Sequence, residues 1–582
     1  MNHLSADILL IIFSELKDDI ASLRSCILVD KFWCQLAMCV LWKYFLFGPK
    51  FKNQETREKF YNTIAHFLPN NPEGPLSKNN IILPLNKLPK EPTFEYMLYF
   101  TRISSFMVGD MVNFLINEED KQNILEEEIY KLIFDKCKNV KQFCFHTTRE
   151  ICSYPNAKNF FSNLNNLKLS FEKVENNIIL NILCELTKIC KCIEELDIDY
   201  IREESLDLAS FIEVQNKLQS LSLHFVDDDD DVDDNDEDNN NNNDDDDNND
   251  DDDNNDDDDD NDDDDDNDDD DNYDSDNNYD DNNYDGYNND DGDDGDGDDG
   301  SDNDGGDGDN NNDEEKDEEL YPLLSDVVAN KAAKLKKFIL VSYATLIDPR
   351  FLTSSVKLQS LELNNDFGNC NVNWKYWESC LDKASFPDLQ YLVTSFLPSG
   401  IERLIIEKSG TNILQIEIRF PHNEFEDYPV QNNQLIVAIS KKCPYLKKLT
   451  INIDPTNLIE INRIFCNCTQ LEKINFTADV YDPKVDVFSI RKVVDPNGDE
   501  LLRIISNVSP KTIRKFSFGY KWNFTLEGLE LFFESWKCQK RFPIKFEGYW
   551  EIGSTWTNKH DELVAKYKDE GIITIPIKKK IK

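Results

Sequence analysis

The chain repeats one spacing of apolar residues, in which an aliphatic or aromatic side chain is followed by a second three positions later and a third two positions after that. Twelve copies begin at Val140, Leu164, Ile193, Leu218, Leu335, Leu358, Leu389, Ile401, Ile413, Leu446, Leu471 and Ile513; Thr394 is a polar exception at the third position. Successive starts are mostly 23 to 33 residues apart, which leaves room for one strand and one helix per copy. Such a unit cannot bury its apolar edge alone, so the spacing predicts stacked units that share one sheet.

The segments between the copies supply the helices. Apolar residues recur three and four apart in 177–190, 434–443, 458–466, 500–508 and 526–536. A strand and a helix at this period resemble the leucine-rich repeat family. Cys137, Cys190, Cys443 and Cys468 each stand three residues before the first apolar position of a copy, which resembles the cysteine-containing class of these repeats found in F-box proteins. The resemblance implies a solenoid whose strand face is available for binding.

The first 47 residues predict three short apolar helices, which Ser5, Asp19 and Asp30 are placed to cap. A domain of this size buries too little surface to be stable without help. We therefore expect its surplus apolar area to meet another protein or the rest of the chain.

The residue order in this segment resembles the F-box family. The stretches that carry the resemblance are Leu4-Ser5-Ala6-Asp7-Ile8-Leu9, Ile12-Phe13-Ser14-Glu15-Leu16, Leu23, Ser25-Cys26, Val29, Lys31-Phe32-Trp33-Cys34 and Leu41-Trp42. Ser5 departs from the family, which usually has proline after the first leucine. The resemblance implies docking on the Skp-type adaptor of cullin-RING ubiquitin ligases, with Leu4, Ile8, Leu9, Phe13, Leu16, Leu23, Val29, Trp33, Leu41 and Trp42 as adaptor-binding residues. The alternative is an ordinary helical cap on a repeat domain.

The formal charge of −53 comes from one tract, because residues 227–319 hold 54 Asp and Glu and a single basic residue, Lys316. The rest of the chain has 61 acidic and 61 basic residues and is neutral. Low hydropathy and like charge prevent a packed core, so the tract predicts a disordered insertion. Without its 93 residues, the copies at Leu218 and Leu335 are one repeat apart. Such a tract would bind basic proteins such as histones, or it would hold divalent cations loosely. Alternatively, it would be the product of codon slippage without a function.

Motifs for catalysis, metal binding or cofactor binding are not recognisable. Cys190 with Cys192 and Cys466 with Cys468 lack the spacing of zinc ligands. The six histidines are scattered, and the glycines at 295, 297 and 300 match a dinucleotide fingerprint without a preceding strand. The fifteen cysteines form no regular framework, which indicates reduced thiols and a cytoplasmic or nuclear protein. The sequence shows no secretory start and no long apolar run, so we expect no membrane partner.

Two positions in each copy, between its first and second apolar residues, are expected to face solvent on the strand side. In the last three copies five of these six residues are basic: Lys447, Lys448, Lys473, Arg514 and Lys515. They form the candidate substrate-binding set, for an acidic or phosphorylated segment. In the copy at Ile193 the same positions are Glu194 and Glu195.

The sequence therefore predicts an α/β chain with an F-box-like domain at 1–47, a helical connector at 48–130, leucine-rich repeats at 131–226 and 320–582, and a disordered insertion at 227–319. The predicted function is that of a non-enzymatic, cofactor-free substrate receptor of a Skp-cullin-F-box ubiquitin ligase. Its partners would be a Skp-type adaptor, through it a cullin, and a protein substrate, with no nucleic acid. The alternative is an adaptor-independent scaffold or an acidic histone-binding protein.

Overall fold

A computed structural model describes residues 4–17, 19–44, 53–69, 71–83, 94–146, 148–172, 174–226, 320–365, 372–419, 428–453, 455–478, 497–519, 522–548 and 556–574. These residues belong to one compact unit, formed from 1–231 and 316–582. A second unit, 232–315, and the whole insertion predicted for 227–319 lie outside the described residues.

The described chain is α/β. Its helices are α1 (Ala6–Glu15), α2 (Ile20–Ile27), α3 (Lys31–Tyr44), α4 (Gln54–Ala65), α5 (Pro75–Lys78), α6 (Ser105–Leu115), α7 (Glu119–Lys136), α8 (Ala157–Ser162), α9 (Asn176–Ile189), α10 (Leu206–Glu213), α11 (Pro322–Ala332), α12 (Trp374–Lys383), α13 (Ser399–Lys408), α14 (Tyr428–Lys442), α15 (Ile461–Asn467), α16 (Gly498–Val508), α17 (Leu526–Cys538) and α18 (Asn558–Asp569). Its strands are β1 (Arg102–Ser104), β2 (Gln142–Phe145), β3 (Asn166–Ser170), β4 (Glu195–Ile201), β5 (Ser220–Phe225), β6 (Lys337–Val341), β7 (Ser360–Asn364), β8 (Tyr391–Ser395), β9 (Gln415–Arg419), β10 (Lys448–Asn452), β11 (Lys473–Thr477), β12 (Lys515–Phe518) and β13 (Lys545–Gly548). Among these helices, none combines the length and the apolar character that crossing a bilayer requires.

All thirteen strands form one parallel sheet in which each strand pairs with the next along the chain. The second apolar position of the repeated spacing stays in register from strand to strand. This row consists of Phe143, Leu167, Leu196, Leu221, Phe338, Leu361, Leu392, Ile416, Leu449, Ile474, Phe516 and Phe546. Every member of the row is buried. Because successive strand residues face opposite sides, the row and the third apolar positions form the sheet face that packs on the helices.

Eleven of the twelve predicted copies coincide with strands β2 to β12. The copy at Ile401 is wrong as a strand prediction, because Ile401, Leu404 and Ile406 lie in α13. Ile401, Ile405 and Ile406 are the buried apolar residues of that helix, so the apolar residues here serve a helical face and match the strand spacing only by coincidence.

Two strands were not predicted from the spacing, because neither has aliphatic or aromatic residues at all three positions. In β1, Ser105 follows Phe100 and Ile103, and in β13, Pro543 precedes Phe546 and Gly548 follows it. The strand β1 pairs with β2, so the sheet begins inside the segment that was predicted as a helical connector.

The chain on the two sides of the acidic tract is joined directly in the sheet. Strand β5 pairs in register with β6 from Ser220–Lys337 to His224–Val341. The rings of Phe225 and Tyr321, which stand near the two ends of the tract, lie 5.7 Å apart. Tyr321 Oη also donates to the carbonyl of Arg202 at 3.1 Å. The two ends are therefore held beside each other by residues outside the tract.

Deleting residues 227–319 and joining the ends through a short flexible spacer is expected to leave the sheet intact. The entropic cost of closing a loop grows only slowly with its length. The shorter connection therefore needs no new contact. We expect one cooperative thermal transition with a midpoint at or above that of the full chain. Two separated transitions in calorimetry would show that the two parts do not form one sheet.

A buried polar pair replaces an apolar contact between β8 and α13. Thr394, at the third position of its copy, is fully buried, as is Glu402 on α13. Thr394 Oγ1 donates to Glu402 Oε1 at 2.7 Å, and Glu402 Oε2 has no hydrogen-bond partner. Burial raises the pKa of Glu402 to about 8, although the hydrogen bond from Thr394 acts in the opposite direction. The folded chain thus holds a protonated carboxyl group here at neutral pH.

Glu402 is therefore expected to destabilise the fold as the pH rises. Unfolded Glu402 loses its proton near 4.5, and folded Glu402 near 8, so its contribution is fully present below the lower value and is lost as pH rises through the higher one. Each unit of this difference is worth about 1.4 kcal/mol. Glu402→Gln removes the titration, so the variant should lose less stability than the parent between pH 5 and pH 9 in urea unfolding. Equal losses would show that Glu402 ionises normally.

Candidate functional site

The three N-terminal helices have their own small core. Leu9, Phe13, Leu23, Ala37 and Val40 are buried together. Ser5, Asp19 and Asp30 accept hydrogen bonds from the backbone N–H groups of Ile8, Ser22 and Trp33, which fixes the start of each helix. The edge of the Trp33 ring meets Phe13, with the ring centroids 5.2 Å apart.

The ten residues predicted to bind an adaptor fall into three groups. Leu9, Phe13 and Leu23 are at most 1% exposed inside the small core, and Leu16, Trp33 and Leu41 pack against it. Trp42 instead faces the connector, where its ring stacks on Tyr96 at 4.4 Å. Leu4, Ile8 and Val29 are exposed. This last group has the largest side-chain area free for a partner, and the first group holds the helices together.

Four exposed apolar residues near these positions were not among the predicted contacts. Ile11 and Ile12 belong to α1, and Leu28 and Phe32 flank Val29 at the junction of α2 and α3. Ile11 is 65% exposed and Leu28 is 84% exposed. Ile8, Ile11 and Ile12 form a second apolar stripe of α1, distinct from the one that contains Leu9 and Phe13, and Leu4 stands just before this helix. We call Leu4, Ile8, Ile11, Ile12, Leu28, Val29 and Phe32 the exposed apolar set.

The second candidate surface is the sheet face opposite the helices. Its first row is Gln142, Asn166, Glu195, Ser220, Lys337, Ser360, Tyr391, Gln415, Lys448, Lys473, Lys515 and Lys545. Its second row is Cys144, Lys168, Asp197, Ser222, Ile339, Glu362, Val393, Glu417, Thr450, Asn475, Ser517 and Glu547. Most of these residues are half-exposed or exposed. We call this surface the open face.

The five residues predicted to bind substrate do not all belong to the open face. Lys448, Lys473 and Lys515 occupy neighbouring places in its first row. Lys545 extends the row by one strand and was missed because β13 was not predicted. Lys447 and Arg514 stand just before β10 and β12, and the Arg514 guanidinium lies over the Phe542 ring at 4.1 Å. Sequence spacing therefore identified three of the four adjacent lysines on β10 to β13 and added two cations from outside the row.

Carboxylates form ion pairs with some of the cations in and beside this row. Glu547 Oε2 pairs with Lys515 at 2.7 Å, and its Oε1 pairs with Lys545 at 3.2 Å. Burial acts in the opposite direction, but these two ammonium groups hold the pKa of Glu547 below its usual value. On β9, Glu417 Oε1 accepts from Arg419 Nη2 at 2.6 Å.

The N-terminal part of the open face carries a compact charge cluster. Lys168 Nζ lies 2.6 Å from Asp199 and 3.4 Å from Asp197, and His224 Nε2 lies 3.3 Å from Asp197. Burial disfavours the charge of Lys168, but the two carboxylates raise its pKa to about 12. Asp197, Asp199 and His224 have the spacing of potential metal ligands. The Lys168 ammonium group already pairs with both carboxylates that a cation would need, so this cluster does not favour a metal.

The cysteines that mark the repeat lie in the core. Cys137, Cys190, Cys443 and Cys468 are buried. Burial raises the pKa of each of these thiols. They pack as small apolar side chains and are unsuited to act as thiolate ligands or nucleophiles.

A scan against protein-family models finds no match for this sequence, and a search of curated proteins finds no similar protein.

Proposed function

We propose that this chain is a substrate-recognition subunit of a Skp-cullin-F-box type ubiquitin ligase, with an F-box-like helical domain and leucine-rich repeats. In this proposal the N-terminal helices bind the adaptor, and the open face of the repeats binds a protein substrate. The chain has no catalytic role, because ubiquitin transfer belongs to its partners. Its proposed location is the cytoplasm, the nucleus or both.

The observation that carries the proposal is the pair of apolar stripes on α1. A helix that only capped the sheet would need one apolar face, toward the rest of the chain. The stripe with Leu9 and Phe13 already serves the core of the three helices. The exposed apolar set remains uncovered by the described residues, and such side chains mark a protein-binding surface when they occur together in a small domain. This supports a protein partner at α1 and at the junction of α2 and α3.

The open face supports the second half of the proposal. Parallel strands joined by helices leave one sheet face free of helices, and repeat proteins bind partners on surfaces of this kind. Its rows carry lysines, carboxylates and hydroxyl groups without a buried catalytic constellation among the described residues. This composition suits polar recognition of another protein.

The adaptor contact is tested by Ile8→Asp. Ile8 is 47% exposed, so the change should leave the small core folded while placing a charge where an apolar side chain is needed. We expect a loss of adaptor affinity of about 100-fold or more, measured with a purified Skp-type adaptor by calorimetry. Leu9→Asp would not discriminate, because it also disrupts the core.

Gln35→Asp is the matched control, since Gln35 is an exposed polar residue of α3 and the change adds the same charge. It should bind the adaptor as the parent chain does. Folded Ile8→Asp with undiminished adaptor affinity would refute the proposal. Capture of histones that depends on residues 227–319, without any adaptor binding, would favour the scaffold or histone-binding alternative.

A further inference from the structure

The apolar side chains of the open face are concentrated at its centre. Ile339 on β6 and Val393 on β8 belong to its second row, and Tyr391 on β8 belongs to its first row. The two rows otherwise carry polar or charged side chains, with Cys144 on β2 as the exception. Tyr391 is 42% exposed, and its side chain makes no hydrogen bond or ring contact with the described residues. The centre of the face therefore offers an apolar contact surface.

One carboxylate stands inside this apolar centre. Glu362 on β7 pairs in register with Ile339 on one side and with Val393 on the other, at strand spacings of about 4.8 Å. Tyr391 lies diagonally from Glu362, at a separation that long and aromatic side chains can span. Glu362 is half-buried, and its carboxylate has no ion pair or hydrogen bond within the described residues. Its charge is thus partly removed from water without a partner.

Several other unpaired charges of the open face lie in a different environment. Glu195, Lys337 and Lys448 also have no ion pair among the described residues, but they are exposed, so water solvates them. Glu362 instead lies beside aliphatic side chains, and this burial raises its pKa. An unpaired carboxylate in such a place destabilises the sheet unless a cation reaches it.

Three basic residues act on Glu362 without pairing with it. Arg419 lowers the pKa of Glu362, but its guanidinium is held by Glu417 at 2.6 Å. His224 acts in the same direction and lies 3.3 Å from Asp197. Lys337 extends into solvent. The described part of the chain therefore leaves the place beside the Glu362 carboxylate open to a cation from a partner.

We infer that Glu362 and Tyr391 bind an arginine side chain of the protein substrate, while neighbouring apolar residues of the substrate pack on Ile339 and Val393. The fold has already removed part of the water around the carboxylate, so an incoming cation interacts with it more strongly than with an exposed one. A guanidinium suits this place better than an ammonium group, because it is weakly hydrated, pairs with a carboxylate through two hydrogen bonds and stacks on aromatic rings. This inference rests on the proposed substrate-binding role of the open face.

The test begins with a displayed library of short random peptides, selected on the full chain. We expect the selected peptides to share one arginine next to apolar residues. One of them is then labelled and compared by fluorescence anisotropy with its citrulline analogue, which keeps the shape of arginine without the charge. The citrulline peptide should bind at least about tenfold more weakly, and the lysine analogue about threefold more weakly. Selected peptides without a shared arginine, or equal affinities for arginine and citrulline, would overturn the inference.

Variants of the full chain locate the site. Glu362→Gln should weaken binding of the arginine peptide at least about tenfold and abolish its advantage over citrulline. The same variant should unfold at or above the midpoint temperature of the parent, because it removes an unpaired, half-buried charge, so misfolding would not explain the loss. Glu378→Gln makes the same change at an exposed position of α12 and should have no effect. An arginine peptide that binds Glu362→Gln as tightly as the parent would overturn the inference.

Two further variants test the surroundings of the carboxylate. Tyr391→Leu keeps an apolar side chain but removes the ring, and it should reduce the preference for arginine over lysine. Lys337→Gln removes a cation that acts on Glu362, and it should tighten binding of the arginine peptide about threefold, a gain that misfolding cannot produce.

The last arms separate related explanations. Arginine amide that competes as well as the peptide at equal concentration would overturn the assignment to a protein segment. Adaptor binding is measured on the same protein sample. Binding of the arginine peptide without adaptor binding would support this inference while refuting the proposed ligase role, and adaptor binding without binding of the arginine peptide would refute this inference alone.

Discussion

One buried apolar row holds the strands of the sheet in register, and it runs from Phe143 on β2 to Phe546 on β13. A shift of one residue in any strand would turn its apolar side chains to the open face and its polar ones to the helices. The hydrophobic pattern therefore fixes each strand against the next. The helices between strands vary widely in length and are even replaced by 3-10 turns before β7. Because the register is set within the strands, the chain accommodates a long acidic tract between β5 and α11.

The same register determines which charged side chains lie next to each other on the open face. Side chains from distant parts of the sequence become neighbours at one strand spacing, as do Lys448 and Lys473. Where a carboxylate occupies the adjacent row, as Glu547 does, the charges cancel locally. At the N-terminal helices the constraint differs, because α1 is apolar on two sides and its small core can cover one of them. Trp42 links those helices to the connector through Tyr96, Phe60 and Phe100.

Much of the sheet could be predicted from sequence, and the exceptions have physical reasons. The spacing located β2 to β12 because apolar residues fill all three positions in nearly every copy. It missed β13 because proline and glycine, Pro543 and Gly548, stand at the first and third positions around Phe546. It misassigned Ile401 because the apolar residues of α13 happen to include that spacing, although its buried face uses Ile405 instead of Leu404. The sequence could not show that Leu9 is buried and Ile8 is exposed. Both sides of α1 are apolar, and only the packing of α3 determines which side is buried.

In the proposed function, α1 and the junction of α2 and α3 bind the adaptor while the open face stays free for the substrate. Hydrogen exchange of the full chain, with and without a purified Skp-type adaptor, distinguishes the two surfaces. New protection is expected only in peptides covering residues 4–16 and 27–34, with no change in β9 to β13. Protection on the open-face strands, or no protection in the N-terminal helices at saturating adaptor, would refute this assignment.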